Sequence, residues 1–475
     1  MEFIGRKKEL DRLQNVWEKD RYKTCAIYGR RRIGKTTLIE EFIKDKNNIS
    51  FSMVKGTYEE NVQRMAYELI EKGESVEKPE LYFVMKALKA ICVREKTVIV
   101  FDELPNLTQN KESAASELQF FIDWMVDNSD SMCIICGSSI SLMINEIKNS
   151  SKPLYQRFMC IIELGPLTID EVRCFHPNMD DRDLLRTYLI LGGIPLYHES
   201  ARGLDFKSMI DDYVLSKTSN FNEDATNIIM VEMGTLGIPS LSVLNALSNG
   251  SVRFTEIASV TKLSDRMVSR CLEGLESMRL VSKKHLMCAN SKHPTYMITD
   301  SPMAFHYRIV RRYSPITATN VSKYDSMHQL ISSFLGSQFE VYCKDLVARN
   351  YPCSEIGSWW GSVPVRDYDG HIMKDGNGKT ITEDVDIDLI ATVRKGNNRI
   401  DLFGECKFDG SEADISVFNK LNVRVESLSG GYNPRLMIIA VNGFEEELLN
   451  YASAGLVLLV NLDMIVGKAP LPELP

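Results

Sequence analysis

"TCAIYGRRRIGKTTLIEEFIK", Thr24 to Lys44, reads as an apolar strand, a glycine-bounded loop and an amphipathic helix in direct succession. The loop, Gly29 to Thr36, fits G-x-x-x-x-G-K-[ST] in full, and the strand before it and helix after it are the context that gives the motif meaning. Glycines let a loop wrap phosphate with its backbone N–H groups, and the helix amino end adds a favourable dipole. Gly29, Arg30, Arg31, Arg32, Ile33, Gly34, Lys35, Thr36 and Thr37 are therefore the expected nucleotide-binding residues. Lys35 would reach the β- and γ-phosphates of ATP, and Thr36 would hold Mg2+ through its hydroxyl.

Outward from this loop, strand-like runs alternate with helical stretches over the first 165 residues, the pattern of a parallel sheet with crossover helices. "VIVFDE", Val98 to Glu103, ends an apolar strand in two acids, 67 residues after Lys35. Asp102 would join the Mg2+ shell, and Glu103 would orient or deprotonate the attacking water. "CGSS" ends the next strand, where Ser138 would touch the γ-phosphate or the water; a polar strand-to-helix turn is the other reading of it. Cys133 and Cys136 mimic a redox or zinc motif, but three apart in a strand they face opposite sides, so core packing is expected.

These residues resemble the AAA+-like ATPases of the signal-transduction type, specifically the archaeal-type ATPase family that is also common in bacteria. "FIGRKKEL" is similar to that family's opening motif, which implies that Arg6 lies near the adenine. "PLYQRF" is similar to its arginine motif, which makes Arg157 the charge-stabilising candidate and leaves open a homo-oligomer through the ATPase domain. "GGIP", Gly192 to Pro195, resembles a signature of the helical lid. The resemblance covers about residues 1–235.

At 475 residues the chain exceeds one core, and two to four domains are expected. It is 44% hydrophobic and 25% charged, an ordinary globular composition. Eleven scattered cysteines suit reduced thiols. The amino end lacks the apolar core of a signal peptide, and no uninterrupted apolar run approaches a membrane span. A cytoplasmic protein without membrane partners is expected. The net charge of −8 argues against a general nucleic-acid coat. Yet residues 236–325 hold twelve Lys or Arg against six Asp or Glu, a basic island.

Within that island, "RFTEIASVTKLSDRMVSRCLEGLESMRLVSKK" has the texture of a helix–turn–helix, with Ser264 as amino cap of the second helix. The hairpin-like text after it makes the unit resemble a winged helix. Arg266 and Arg270 would lie one turn apart on the recognition helix, with Lys283 and Lys284 on the wing, and all four are candidates for phosphate contacts with DNA. An intramolecular clamp or dimer surface is the alternative use of such a unit.

Near the carboxyl end, "DVDIDLIATVR" (Asp384–Arg394) and "IDLFGECKF" (Ile400–Phe408) flank "KGNNR". A two-residue Gly396-Asn397 loop signals a tight hairpin. In that register paired numbers sum to 793, so Asp388 faces Glu405 and Asp386 faces Lys407. Opposed carboxylates repel and raise one another's pKa, a conflict that a divalent cation removes. Lys407 would then orient a water or neutralise phosphate charge. A one-residue slip would invert these faces, and an Asp386–Lys407 salt bridge at an exposed edge is the plainer reading.

Asp388, Glu405 and Lys407 resemble the core of the PD-(D/E)xK restriction-endonuclease-like nucleases. "GSQFEVYC" resembles the first helix of that fold, which implies Glu340 as a further metal ligand beside Asp388 and Glu405. "GSWWG", Gly357 to Gly361, is similar to the version of this domain fused to archaeal-type ATPases. The resemblance covers about residues 326–475.

The fold expected is thus multidomain α/β: a P-loop NTPase core (1–165), a helical lid (166–235), a winged helix-turn-helix (236–325) and a restriction-endonuclease-like domain (326–475). The function expected is an ATPase that regulates a Mg2+-dependent nuclease acting on DNA. The alternative is a nucleotide-dependent switch that binds DNA or a protein partner without cleavage.

Overall fold

In a computed structural model, the structure describes residues 3–19, 23–109, 111–216, 218–284, 294–313, 322–365, 371–395, 398–428 and 434–474. The chain divides into two compact units, Met1–Val172 with Gly193–Glu199, and Arg173–Gly192 with Ser200–Pro475.

The first unit is built on strands β1 (Thr24–Tyr28), β2 (Asn48–Ser52), β3 (Val98–Asp102), β4 (Met132–Gly137) and β5 (Cys160–Glu163). They form one parallel sheet in the order β2-β3-β4-β1-β5. β1, β3 and β4 are buried at every residue, which explains their unbroken apolar text: helices cover both faces of a parallel sheet. The edge strand β2 alternates instead. Cys133 and Cys136 are both buried, and burial pushes both thiols well up, as suits packing residues.

Six helices of this unit are α1 (Lys7–Lys19), α2 (Lys35–Ile43), α3 (Tyr58–Glu71), α4 (Leu81–Arg94), α5 (Glu112–Asn128) and α6 (Ile140–Lys148). One core packs α3, α4 and α5 against the sheet and centres on Phe51, Phe101, Leu88 and Phe121. The Phe101 and Phe121 rings meet edge-on at 6.5 Å. Phe121 is fully buried, so Phe121→Ala should lower stability by about 3–5 kcal/mol, read as a fall in the denaturant midpoint. A fall below about 1 kcal/mol would mean that α5 is not anchored by this ring.

In the second unit, helix α7 (Asp181–Leu191) starts where the Asp180 carboxylate accepts the Asp183 N–H, and stops at Gly192, whose φ of 62° few other residues adopt. Helices α8 (Asn220–Met233) and α9 (Gly237–Ser248) follow. By length and composition alone Asn220–Ser248 is apolar enough to cross a membrane, yet it is two helices separated by a 3-10 turn at Gly234–Leu236 and carries Glu223, Asp224 and Glu232, so it is no uninterrupted apolar run. Next come α10 (Phe254–Thr261), α11 (Asp265–Ser277) and the antiparallel pair β6 (Val281–Lys284) and β7 (Thr295–Ile298). Ser264 caps α11 by accepting the Met267 N–H.

The rest of this unit is α12 (Lys323–Asn350), β8 (Cys353–Pro364), β9 (Thr382–Lys395), β10 (Asn398–Lys407), α13 (Ile415–Leu428), β11 (Arg435–Ala440), α14 (Glu446–Ser453) and β12 (Leu458–Val460). A mixed sheet runs β12-β11-β10-β9-β8, antiparallel from β8 to β10 and parallel from β10 to β12. α13 lays Leu421 and Val425 on a core with Ile390, Phe403 and Ile438. The Gly396-Asn397 turn lies outside the described residues. The strands on either side pair from Asn398↔Lys395 to Gly404↔Leu389, so paired numbers sum to 793, the register expected.

Candidate functional site

The phosphate loop leaves the carboxyl end of β1, beside the ends of β4 and β3, so three loops share one edge of the sheet. Two of its glycines are required by geometry. A Cβ on Gly29 would sit 2.3 Å from the Leu164 carbonyl oxygen, and Gly34 has φ 89°. Arg32 also takes a left-handed φ of 65°, and this strained bend closes the loop. No side chain caps α2, which leaves its first-turn N–H groups to an anion. Lys35 is buried and donates from Nζ to the carbonyl oxygens of Gly29 (2.9 Å) and Arg30 (3.1 Å), spanning the loop from inside.

Thr36 and Asp102 meet directly, the threonine hydroxyl donating to Oδ2 at 2.9 Å. A cation held by both would replace that hydrogen bond, with the hydroxyl oxygen offering a lone pair instead of its proton. Glu103 turns out of β3 with φ 52°, and its carboxylate accepts from the Ser138 hydroxyl (3.0 Å) and N–H (3.1 Å). Ser138 thus sits against the candidate base. Arg6, buried and at φ 61°, donates from Nη2 to the Ile33 carbonyl at 3.0 Å, while its N–H reaches the Glu171 carboxylate at 2.8 Å. It braces the phosphate loop, a role that a place near the adenine did not suggest. Glu171 was missed altogether, because nothing local marks a partner 165 positions away. Arg157 pairs with Asp123 of α5 at 3.0 Å and donates to the Tyr155 carbonyl; its described hydrogen bonds and ion pairs include none to the phosphate loop.

In the second unit, β9 and β10 bring a different set of charges together. The Asp388 Oδ2 accepts the Cys406 N–H at 2.8 Å, across the strand pair. Burial pushes this carboxyl up, Glu405 adds to the effect, the Cys406 N–H opposes it, and Glu340 and Asp386 contribute further; the net result is a pKa of about 7. Glu405, with a side chain only 13% exposed, meets Lys407 Nζ at 2.8 Å through Oε1. Burial is the largest single influence and opposes the Lys407 charge, yet the hydrogen bond to Glu405 and the charges of Glu405 and Asp388 together hold this pKa above the ordinary lysine value. Lys407 is therefore a cation here, suited to neutralising an anion.

Arg424 of α13 is a residue that the sequence reading missed. Its Nη1 donates to the Asp386 carbonyl at 3.0 Å and lies 3.4 Å from Glu405 Oε2. Lys407 does not pair with Asp386, which instead lies 3.6 Å from Arg424. Among the described residues no three His, Cys, Asp or Glu side chains are grouped to hold a metal. The expectation of Glu340, Asp388 and Glu405 as metal ligands stands as an expectation, and both Glu405 oxygens face cations, Lys407 and Arg424. The donor chemistry still fits Mg2+, which takes one or two carboxylates and completes its shell with water.

Arg266 and Arg270 are exposed on α11, and Lys283 is exposed on β6, 3.4 Å from Glu276. The Lys284 side chain falls outside the described residues.

Residues 3–199 match the family described as an ATPase domain predominantly from Archaea. The amino-terminal part is a P-loop ATPase domain. Downstream of this ATPase domain, residues 306–417 match a family of archaeal and bacterial proteins of unknown function. An uncharacterized protein of Methanocaldococcus jannaschii is 24% identical over 368 residues, which covers 75% of this chain and 82% of that protein. An uncharacterized ATP-binding protein of the same archaeon is 43% identical over 44 residues, 9% of this chain and 75% of that one. Among solved structures, a Walker-type ATPase of Pyrococcus abyssi is similar at 20% identity and TM-score 0.49, covering 65% of this chain and 96% of its own. The ORC2 protein of Aeropyrum pernix, solved in ADPNP–ADP complexes, is similar at 13% and 0.46, with 66% and 94% covered.

Proposed function

We propose that the ATPase domain regulates a Mg2+-dependent nuclease acting on DNA, housed in the carboxyl-terminal sheet. One observation carries the reading: Asp388 is held against Glu405 with a pKa near neutrality, beside the cationic Lys407. Such a pair is costly in a structural role and useful in a chemical one. Asp388 and Glu405 would hold the metal, which when bound lowers the pKa of a coordinated water and screens phosphodiester charge. Lys407 neutralises phosphate charge as the bond breaks. Amino-terminally, Lys35 and the loop N–H groups bind the ATP phosphates, Thr36 and Asp102 would hold its Mg2+, and Glu103 orients the water.

The helix pair and two-stranded sheet over Gly237–Ile298 serve this reading as a winged helix, with Arg266, Arg270 and Lys283 on DNA phosphates. Arg266→Ala with Arg270→Ala should weaken DNA binding uniformly across sequences and flatten the salt dependence by about one unit of log–log slope per residue. An unchanged slope would favour the clamp. A switch that binds without cutting is the second reading, and the pairing of both Glu405 oxygens with Lys407 and Arg424 favours it.

The deciding test is cleavage of labelled single- and double-stranded DNA and RNA, with and without ATP and with Mg2+ or Mn2+. Cleavage of DNA that is lost in Asp388→Ala and Lys407→Ala supports the nuclease. Intact nucleic acid under every condition leaves the switch.

A further inference from the structure

Both oxygens of Glu405 carry a cation, and the two cations differ in kind. Lys407 is its neighbour on β10, two residues away, and follows the strand wherever it goes. Arg424 comes from α13, beyond the residues 306–417 that match a known family. Its side chain is only 26% exposed, and its guanidinium spans two strands, touching Asp386 of β9 and Glu405 of β10. Asp388 lies close enough to Glu405 to feel its charge, and its carboxylate accepts the Cys406 N–H.

We propose that Arg424 is a built-in surrogate for the divalent cation, a positioning residue that occupies Glu405 while the metal is away and competes with it for the site. The inference rests on the metal-site reading of Asp388 and Glu405. Two effects point the same way. A metal bound through Glu405 must displace the hydrogen bond at Oε2, and it must approach against the charge of the guanidinium. Removing Arg424 therefore strengthens metal binding, whereas a residue that built the site would weaken binding when removed. α13 also packs Leu421 and Val425 into the core, so the latch is fixed to a rigid element rather than to a loop.

The test is Mn2+ titration by calorimetry on the full chain without nucleotide, in a Lys35→Ala background that keeps ATP-linked metal out. Wild-type, Arg424→Gln, Asp388→Asn and the double variant are compared, and thermal unfolding with and without Mn2+ provides a second readout. Arg424→Gln should bind Mn2+ several-fold to about tenfold more tightly, the range of one ordinary hydrogen bond, since the contact to Glu405 is long at 3.4 Å. Asp388→Asn should abolish binding in both backgrounds. Equal or weaker Mn2+ binding by Arg424→Gln, with the Asp388→Asn loss intact, overturns the latch and leaves the metal site standing. Mn2+ binding that survives Asp388→Asn overturns the metal site itself, and the latch with it. If Arg424→Gln melts well below wild type, Arg424→Lys decides: it keeps the charge with a less extended reach, and intermediate Mn2+ affinity supports competition, while wild-type or weaker affinity overturns it.

Discussion

Lys35→Ala should abolish ATP hydrolysis, with a loss on the order of a hundred- to a thousandfold in kcat, the range found when one preorganised donor to a developing anion is removed. Lys35 does two things in the loop. It supplies the one buried ammonium at the start of α2, and it ties the Gly29 and Arg30 carbonyls into the curl that aims the loop N–H groups inward. A change that removes both should raise the Kd for ATP as well as lower kcat, since ground state and transition state share the phosphate contacts. Gly29 is buried and its carbonyl loses a partner, so thermal unfolding of the variant is measured beside the assay to separate lost stability from lost hydrolysis. Phosphate release and nucleotide titration measure both quantities. Hydrolysis at the wild-type rate would remove the assignment of the phosphate loop.

The parts of this site that were legible in the sequence are those whose constraints are local. Gly29 and Gly34 are fixed by a 2.3 Å approach and a positive φ, and both needs are written as glycines at set spacing. Asp102 and Glu103 end a strand whose apolar run announces full burial. The braces were not legible. Arg6 reaches Ile33 over 27 positions and Glu171 over 165, and each is one polar residue among many in a text that carries no distances. Arg157 shows the converse. A motif-like setting points to charge on phosphate and carries no sign of the carboxylate partner that the side chain has in Asp123, and the expected role stays a proposal.

In the second unit the hairpin was legible because strand period and loop length together fix a register, and the pairing observed to Gly404↔Leu389 brings the Asp388 carboxylate to the Cys406 N–H, next to Glu405. Arg424 was not, because it enters from a helix 19 positions beyond Glu405, and only the packing of α13 on the sheet decides which turn of the helix overlies the acids. Sequence period predicts which face of an element is apolar; it does not predict which polar residue at the rim of that face meets which partner.

Asp388→Asn should remove cleavage and, in the same protein with metal chelated, raise stability at alkaline pH. The sign follows from the proton count. The folded-state pKa of about 7 lies above the ordinary 3.8, so between those values the native state holds a proton that the unfolded chain has released. The stabilising contribution is complete below about pH 4 and is lost as pH rises through about 7. The whole shift bounds the effect at about 4 kcal/mol, of which the part between about pH 5.5 and about pH 7 is about 2. Asparagine keeps an oxygen to accept the Cys406 N–H and carries no charge to desolvate or repel Glu405, so the variant should not show this loss. Urea midpoints at about pH 5.5 and about pH 8.5 in chelator should therefore diverge, wild type losing roughly 2 kcal/mol relative to the variant. Added Mn2+ should reverse the order, because it stabilises only the protein that retains the carboxylate. A variant that is less stable at both pH values would mean that Asp388 is a satisfied structural acid. A variant more stable at alkaline pH and inert toward DNA would carry the mark of an acid kept for chemistry at a cost in stability.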